Sequence, residues 1–258
     1  MIDSRAVIDP GAELDSDVEV GPFAVIGPHV RVGRGSRIGP HAVLDGHTTL
    51  GEACQVFSHA AVGTIPQDLK YRGEPTVLEV GARTVIREFV TMNTGTAGGG
   101  GVTRVGTDCL FMAYSHVAHD CLLGNHVIMA NAATLAGHIT VEDWVIVGGL
   151  TAVHQFVRVG EHAILGGCSA VVKDVPPYVS ASGNRAKLYG LNLTGLKRRG
   201  LTPAAILALR GAYRMIFQGE GETVGACLDA VRASPHMEVP EVGRFVEFIA
   251  QSERGVTR

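Results

Sequence analysis

The sequence predicts an all-β solenoid of very short strands, followed by a helical C-terminal region. The main observation is a period of six: an aliphatic residue, Met or Phe occupies every sixth position in three runs, Ile2 to Val62, Val80 to Met92 and Val105 to Val171. This period fits neither an amphipathic helix nor plain strand alternation, but it fits short strands joined by tight turns. The hexads end before the segment KDVPPYV, and a helical pattern follows it.

Small residues allow each six-residue unit to turn. A small or β-branched residue stands two positions before almost every repeated aliphatic residue, and Gly often follows the aliphatic directly. Small side chains at this position let the chain turn a corner without crowding the axis. Three cysteines, Cys54, Cys109 and Cys121, hold it, which predicts that they fill the core.

Composition excludes several classes of protein. The 258 residues carry a net charge of -3, so no overall basic field indicates nucleic-acid binding. The N-terminus has no basic segment followed by an apolar run, and no apolar stretch is long enough to span a membrane, so neither a signal peptide nor a span is expected. The five cysteines are widely spaced and form no CxxC pair, which indicates reduced thiols and a cytoplasmic location.

Two segments interrupt the repeat and are predicted to project as loops. Residues 63–79 are polar and contain Asp68 and Lys70, whereas residues 93–104 are rich in glycine. Insertions of this kind often line the binding face of a solenoid.

The sequence predicts two domains, a solenoid over residues 1–176 and a helical domain over residues 177–258. Within the second, Thr202 is the expected cap of a helix that has Pro203 at its first position.

The repeat resembles that of the hexapeptide-repeat transferases. Their signature is an aliphatic residue, then Gly, Ala or an acid, two variable positions, a small residue and one more variable position. The resemblance implies a left-handed parallel β-helix, a triangular prism with three hexads, or about 18 residues, in each coil.

Stacked coils would bring together histidines that are distant in sequence. Residue 137 is one coil after His119, and residue 155 is two coils after it. His138 and His154 are each offset by one residue from these stacked positions. These three histidines, with Gln155, are expected along one edge of the prism, roughly 5 Å apart per coil. Neutral histidine is a suitable general base, and the adjacent Asp120 could fix its tautomer.

Metal binding is the competing interpretation of the same histidines. Three histidines can bind zinc with an open fourth position, and trimeric carbonic anhydrases use this fold. Their pattern is H-x4-H with an earlier histidine, whereas His116 and His119 here form H-x2-H. Neither a metal nor a cofactor is therefore expected. The remaining histidines are expected to be solvated turn residues: His29, His41, His47, His59, His126, His162 and His236.

Several motifs in a fixed order narrow the resemblance to one family. They are QDLKYRGEPT, AHDCLLGN, LAGH, TAVHQF, DVPPYV and GLNLTGLKRRG, together with the helical tail. In these the chain resembles, over essentially its whole length, the acyl-ACP:UDP-N-acetylglucosamine O-acyltransferases, which perform the first step of lipid A biosynthesis. The resemblance implies a homotrimer with active sites between subunits. It also implies a 3-hydroxyacyl donor on acyl carrier protein and a sugar 3-hydroxyl as acceptor.

The resemblance implies roles for individual residues. His119 would be the general base, Asp120 would orient and polarise it, and the backbone N–H of Gly137 would stabilise the thioester oxyanion. Asp68 and Lys70 would hold the sugar and the acyl donor. The other implied contacts in the cleft are His116, His138, His154 and Gln155. Those with the nucleotide and pyrophosphate are Asn192, Arg198 and Arg199, and the positions that set acyl length are Gly167 and Arg185.

Departures from the family pattern leave the acceptor and the acyl length open. The family often has HRGT where this chain has Asn93-Thr94-Gly95-Thr96, so a His and an Arg near the donor path are missing. The changed loop leaves open a 3-amino UDP-sugar, which some relatives acylate to form an amide.

Two further departures lie elsewhere. Thr194 replaces a glutamate expected near the ribose, and Arg185 replaces a histidine near the end of the acyl chain. Gly167 should leave room for a longer chain, but Arg185 makes that prediction weaker. The acidic carrier protein would require a basic patch, for which the candidates are Lys173, Arg185, Lys187, Lys197, Arg198 and Arg199.

Overall fold

A computed structural model describes residues 1–219 and 223–258. In chain order the strands are β1 (Val7–Ile8), β2 (Glu13–Leu14), β3 (Glu19–Val20), β4 (Val25–Ile26), β5 (Arg31–Val32), β6 (Arg37–Ile38), β7 (Val43–Leu44), β8 (His47–Leu50), β9 (Gln55–Val56), β10 (Ala61–Thr64), β11 (Val77–Val80), β12 (Val85–Ile86), β13 (Thr91–Asn93), β14 (Val102–Val105), β15 (Leu110–Phe111), β16 (His116–Val117), β17 (Leu122–Leu123), β18 (Ile128–Met129), β19 (Thr134–Leu135), β20 (Thr140–Val141), β21 (Ile146–Val147), β22 (Ala152–Val153), β23 (Arg158–Val159), β24 (Ile164–Leu165), β25 (Ala170–Val171), β26 (Val179–Ser182) and β27 (Lys187–Leu191). The α-helices are α1 (Leu193–Arg198), α2 (Pro203–Phe217), α3 (Val224–Arg232) and α4 (Pro240–Ala250). Short 3-10 helices cover Ala97–Gly99 and Pro235–Glu238.

The strands stack into three sheets that form the faces of a triangular prism. Sheet I contains β1-β4-β7-β10-β13-β16-β19-β22-β25, and sheet II contains β2-β5-β8-β11-β14-β17-β20-β23. Sheet III runs from β3 through every third strand to β24 and ends with β26 and β27. All pairings are parallel except the hairpin of β26 and β27. The register is regular: in sheet I, His116 pairs with Thr134, and Thr134 pairs with Ala152.

The predicted hexad positions form the core. In the two-residue strands the second residue points inward, and Ile26, Leu44 and Val153 are almost fully buried. Cys54, Cys109 and Cys121 are buried beside them, which confirms the prediction that they fill the core. Burial raises the pKa of Cys109 to about 11 and that of Cys121 to about 12, so these thiols stay protonated.

The prism has three edges where the chain turns from one sheet to the next, and we name them I–II, II–III and III–I. Many turns hold a non-glycine residue at positive φ, for example Asp120 at 60° and His138 at 62°. Few side chains tolerate this conformation without a local reason, and here the repeated tight turn supplies it. Residues at this position in successive coils lie above one another and form a column along each edge.

The helices follow the last coil of the prism. Thr202 caps α2 by accepting a hydrogen bond from the backbone N–H of Ala205 at 3.1 Å, and Pro203 is the first helical residue, as predicted. After α4, residues 251–258 return to the prism, where Val256 forms an isolated parallel β-bridge with Asp174. No helix among the described residues combines the length and apolar character that crossing a membrane requires.

Candidate active site

Both insertions leave the prism at edge I–II, in the two coils directly below His119. The first spans residues 65–76 between β10 and β11, and the second spans residues 94–101 between β13 and β14. These irregular segments are shorter than the predicted loops, because β10, β11, β13 and β14 extend beyond two residues. The next coil crosses the same edge at residues 118–121, and the pairing of β10, β13 and β16 stacks the three turns.

Asn93 and Thr94 tie the two insertions together. The Asn93 side-chain amide donates hydrogen bonds to Thr64 Oγ1 and to the Ile65 carbonyl, each at 3.0 Å. Thr76 Oγ1 donates to Thr94 Oγ1 at 3.1 Å, and both Asn93 and Thr94 are buried. Asn93 and Thr94, which replace the His and Arg of the family pattern, therefore help to hold the two insertions in place beside the site.

His119 and Asp120 form a hydrogen-bonded pair. Nδ1 of His119 lies 2.7 Å from Oδ2 of Asp120. Because a carboxylate can only accept, Nδ1 carries the proton and Nε2 keeps a free lone pair. The Asp120 carboxylate is fully buried, whereas the imidazole remains 14% exposed, so this lone pair is accessible to a substrate.

The second insertion holds Asp120 in place. Thr96 donates to its carboxylate twice, from the backbone N–H to Oδ1 at 2.8 Å and from Oγ1 to Oδ2 at 2.6 Å. The backbone N–H of Asp120 donates to Thr103 Oγ1 at 2.8 Å. Gly99 packs directly on the carboxylate, so closely that a Cβ there would lie 2.1 Å from Asp120 Cγ. These three residues orient the pair, and the repeat pattern did not single them out.

Gly137 lies directly against the His119 imidazole. A Cβ on Gly137 would lie 2.5 Å from Cε1 and 2.8 Å from Nε2 of His119, so only glycine leaves room for the ring. Among the described residues, none accepts a hydrogen bond from the Gly137 N–H. A free backbone donor therefore stands beside the free lone pair of the imidazole.

His138 and His116 flank the pair. The His138 ring meets that of His119 edge to face at a centroid distance of 5.0 Å and stacks on Phe156 from the next coil at 4.5 Å. His116 Nδ1 lies 2.7 Å from Thr91 Oγ1. Burial, with a smaller contribution from His119, lowers the pKa of His116 and favours its neutral form.

The cluster also offers ligands for a cation. One ligand atom from each of His119, Asp120 and His138 lies within 4.8 Å of the others. This set contains a carboxylate in place of the third histidine that the carbonic anhydrase pattern requires. The 2.7 Å contact between His119 and Asp120 and the two hydrogen bonds from Thr96 already occupy the carboxylate.

The other predicted contacts on edge I–II are more exposed. His154 and Gln155 lie in the turn after β22, two coils above His119, and His154 Nδ1 lies 3.0 Å from a guanidinium nitrogen of Arg254. Asp68 and Lys70 lie in the first insertion, where the Lys70 N–H donates to Asp68 Oδ1 at 2.9 Å. Within one chain, no described contact joins either of these two side chains to His119.

The predicted nucleotide contacts lie on edge II–III instead. Asn192 caps α1: its Oδ1 accepts from the Gly195 N–H at 3.1 Å, and its Nδ2 donates to the His162 carbonyl at 2.9 Å. The Arg199 guanidinium lies over the Trp144 ring, 5.1 Å from its centroid, and partial burial lowers its pKa. Arg198 is exposed at the end of α1.

Two histidines on this edge are half-buried beside aromatic rings, whereas the sequence predicted solvated turn residues. His126 stacks on Trp144 at 3.8 Å, and His162 lies between Trp144 and Tyr178. Burial, with further effects of Arg199 and Arg244, lowers the pKa of His162 to about 4, which keeps it neutral. The prediction was wrong because the turns of successive coils stack their side chains into columns.

The two predicted acyl-length positions lie near each other at edge III–I. Gly167 is exposed in the turn after β24, and Arg185 is exposed in the turn between β26 and β27. The turns touch, because the Gly183 N–H donates to Ser169 Oγ at 3.0 Å and the Ala186 N–H donates to the Ala170 carbonyl at 2.9 Å. The predicted site residues of one chain are thus divided among all three edges.

Comparisons with known proteins agree on one family. Residues 174–257 match the family described as Udp N-acetylglucosamine O-acyltransferase, domain 2, and residues 11–46 match bacterial transferase hexapeptide repeats. Two curated relatives, both named acyl-[acyl-carrier-protein]--UDP-N-acetylglucosamine O-acyltransferase, come from Paracidovorax citrulli and Paraburkholderia phymatum. They are 55% and 48% identical to this chain, and each alignment covers 100% of this chain and 99% of the relative.

Solved structures give the same result. LpxA from Acinetobacter baumannii is 42% identical, with a TM-score of 0.96 and coverage of 100% of this chain and 99% of that chain. The UDP-N-acetylglucosamine acyltransferase of Arabidopsis is 34% identical, with a TM-score of 0.88 and full coverage of both chains. The predicted left-handed parallel β-helix with a helical C-terminal region is thereby confirmed.

Proposed function

The chain belongs to the family of acyl-[acyl-carrier-protein]–UDP-N-acetylglucosamine O-acyltransferases, and we propose that His119 is the general base of its reaction. The chain is an enzyme that transfers an acyl group from acyl carrier protein to UDP-N-acetylglucosamine, the first step of lipid A biosynthesis. The observation that carries the assignment of the base is the buried Asp120 carboxylate, which leaves the proton of His119 on Nδ1 and the lone pair on Nε2.

The reaction follows from this pair. Nε2 of His119 accepts the proton of the sugar 3-hydroxyl as its oxygen attacks the thioester carbon of the 3-hydroxyacyl donor. Asp120 stabilises the imidazolium that forms and holds the ring in one orientation. The tetrahedral intermediate then collapses, the carbon–sulfur bond breaks, and the carrier thiolate takes the proton from Nε2. The products are the ester and the free thiol of the carrier protein.

Gly137 is the proposed oxyanion donor. Its N–H is free and lies beside the ring that activates the nucleophile, so one carbonyl carbon can be within reach of both groups. A fixed donor aimed at the developing charge commonly contributes a large share of catalysis in acyl transfer. We also propose His116, His138, Asp68 and Lys70 as contacts to the sugar and the donor. His116 and His138 flank His119, whereas Asp68 and Lys70 lie in the first insertion on the same edge.

Asn192, Arg198 and Arg199 are the proposed contacts to the nucleotide. Two polar atoms beside them, Arg199 Nη1 and His162 Nδ1, are buried without a partner among the described residues. A buried donor without an acceptor is costly, and a phosphate oxygen would satisfy the guanidinium. This corner lies on edge II–III, however, whereas His119 lies on edge I–II.

A homotrimer resolves this separation. If sheet I of one subunit faces sheet III of the next, edge I–II of the first lies beside edge II–III of the second, and the three III–I edges meet at the axis. Each cleft then contains His119 of one subunit and Arg199 of its neighbour. The acyl chain would lie between the two faces and extend inward, toward Gly167 and Arg185 at edge III–I.

The chemistry of the faces supports this arrangement. Sheet II carries exposed ion pairs along its outer face, including Glu13 with Arg31 at 3.2 Å and Glu79 with Arg104 at 2.7 Å. Sheets I and III present mostly apolar outer residues, which are suited to a contact between subunits, although Glu19 and Arg37 form an exposed ion pair at 3.2 Å at the start of sheet III. Representative ones are Val25, Val43, Ala61, Leu110, Ile128, Ile146 and Ile164.

Leu150 tests the proposed trimer. It lies on edge III–I and is 67% exposed, above the exposed rings of Phe89 and Tyr114. We expect Leu150→Arg to convert the trimer into monomers and to abolish transfer, because three guanidinium groups would meet at the axis. Light scattering gives the mass. Leu122→Arg is the matched control: Leu122 is 42% exposed on sheet II, and this variant should remain an active trimer. A trimeric Leu150→Arg protein would contradict the arrangement.

An acyl-transfer assay with purified protein tests the activity and the acceptor together. We expect transfer from 3-hydroxyacyl carrier protein to the 3-hydroxy UDP-sugar, and Gly167 should permit a longer acyl chain than a larger residue would. A preference for the 3-amino UDP-sugar would show that the enzyme forms an amide.

Protein stripped of metal by a chelator should keep full activity, whereas loss of activity that zinc restores would favour a metal role for His119, Asp120 and His138.

Two coarser expectations complete the proposal. We place the domain boundary near residue 176, which the family match over residues 174–257 supports. We also propose a cytoplasmic location, which the wide spacing of the five cysteines and their lack of a CxxC pair favour.

A further inference from the structure

The C-terminal segment brings one cation, Arg254, to edge I–II. Buried Asp174 anchors this segment on both sides of Arg254: its Oδ2 accepts from Ser252 Oγ at 2.7 Å, and its carbonyl accepts from the Thr257 N–H at 2.7 Å. Val256 also bridges Asp174. These contacts of Ser252, Val256 and Thr257 fix the backbone position of Arg254 independently of its own side chain.

The Arg254 guanidinium is held by two contacts. Nε donates to the Val172 carbonyl at 3.2 Å, and Nη2 lies 3.0 Å from His154 Nδ1. Since a guanidinium can only donate, His154 Nδ1 accepts and its ring proton lies on Nε2. The 3.2 Å approach of this Nδ1 to the Gln155 carbonyl is therefore a contact without a hydrogen bond.

Among the described residues, the charge of Arg254 has no acidic partner. Across residues 1–219 and 223–258, no carboxylate lies within ion-pair distance of it, and the side chain is exposed. A guanidinium that is already oriented loses little rotational freedom on binding and presents paired N–H groups suited to phosphate oxygens. Such a group beside the proposed cleft fits a phosphate on one of the substrates.

We propose that Arg254 binds the phosphodiester of the phosphopantetheine arm through which the carrier protein presents the acyl thioester; this rests on the acyl transfer proposed above. His154, which Arg254 contacts, lies two coils above His119, a distance of about 10 Å along the edge. In the sugar nucleotide, the first phosphorus is only a few bonds from the 3-hydroxyl and therefore lies too near the base. The second belongs to the pyrophosphate, whose proposed contacts are Arg198 and Arg199 on edge II–III of the neighbouring subunit. The pantetheine arm separates its thioester from its phosphate by many bonds and can span this interval.

Two small donors test the proposal directly: a 3-hydroxyacyl phosphopantetheine and the matching 3-hydroxyacyl pantetheine, which lacks the phosphate. We expect the wild-type enzyme to use the phosphorylated donor with a kcat/KM about tenfold higher, the usual effect of one charged hydrogen bond. Arg254→Gln should remove this preference and leave the KM for UDP-N-acetylglucosamine unchanged. Arg258→Gln, four residues further along the same segment, is the control and should keep the preference.

The other outcomes separate the alternatives. A preference that persists in Arg254→Gln would overturn the proposal. An equal loss with both donors would mean that Arg254 only positions His154, and a rise confined to the KM for the sugar nucleotide would assign the phosphate to the acceptor. Arg254→Lys should recover part of the preference, since it restores the charge. If the wild-type enzyme used neither small donor but did transfer from 3-hydroxyacyl carrier protein, recognition would lie in the carrier protein and the proposal would be overturned. No transfer from 3-hydroxyacyl carrier protein would contradict the activity itself.

Discussion

Replacing His119 with alanine should lower kcat for acyl transfer by about a hundredfold to ten-thousandfold, the usual contribution of a positioned general base. The loss follows from the geometry, since Nε2 of His119 is the free lone pair that the Asp120 carboxylate orients. The neighbouring imidazole of His138 cannot replace His119 as the base, because its ring plane is at 88° to that of His119 and it stacks on Phe156. Steady-state kcat, measured with both substrates saturating, gives the result.

The control for this variant is another histidine on the same edge. His29 stacks on His47 at 4.3 Å, several coils below the cluster, and His29→Ala should keep wild-type kcat. Light scattering and thermal unfolding should show both variants to be folded and equal in mass. A His119→Ala protein that kept most of the wild-type kcat would show that His119 is not the general base.

A single methyl group at Gly99 should lower kcat by about a hundredfold, the scale expected when a catalytic group moves by about 1 Å. The Cβ of Gly99→Ala would fall 2.1 Å from Asp120 Cγ and 2.2 Å from Oδ2, so the carboxylate has to move away from His119. The second insertion and the turn after β16 would separate slightly, while the core of the prism would be untouched.

The neighbouring glycine provides a matched control. A Cβ on Gly98 would meet no atom within 4 Å, so Gly98→Ala makes the same chemical change in the same insertion without a clash. It should keep wild-type kcat and KM. If both variants were fully active, the second insertion would not hold Asp120 in the way that the distances indicate. If both lost activity, mobility of the loop rather than the position of Asp120 would be the cause.

The regular part of the molecule could be predicted from the sequence. The period of six identifies the inward residue of the short strands, because each coil repeats the same packing environment. The same regularity placed His138 close to His119, although the paired strands put it level with Asp120 and put Gly137 level with His119. That difference of one residue decides which group faces the imidazole. The count of 18 residues per coil predicted it, and the family resemblance supplied only the role of Gly137.

The irregular part could not be predicted in this way. Thr96 and Gly99 act on Asp120 from a different coil, and their positions depend on the conformation of an insertion that follows no repeat. The sequence contains a signal, since a buried carboxylate requires hydrogen-bond donors and the insertion contains threonine. The signal does not identify the donors. The stacking of His126 and His162 was missed for a related reason, because a single turn gives no sign of its neighbours above and below.

The strand pairing has a consequence for changes in chain length. One coil of the β-helix separates His119 from Gly137, and the pairing of β16 with β19 fixes the start of this coil relative to its end. A residue added or removed between Val117 and Thr134 would turn a core side chain outward and move the proposed base away from the proposed oxyanion donor. Residues 65–76 lie outside the paired strands, so an insertion there lengthens only the loop. The enzyme can thus accept length variation in the insertion that we propose to contact its substrates, whereas the spacing of its proposed catalytic groups depends on the exact number of residues between them.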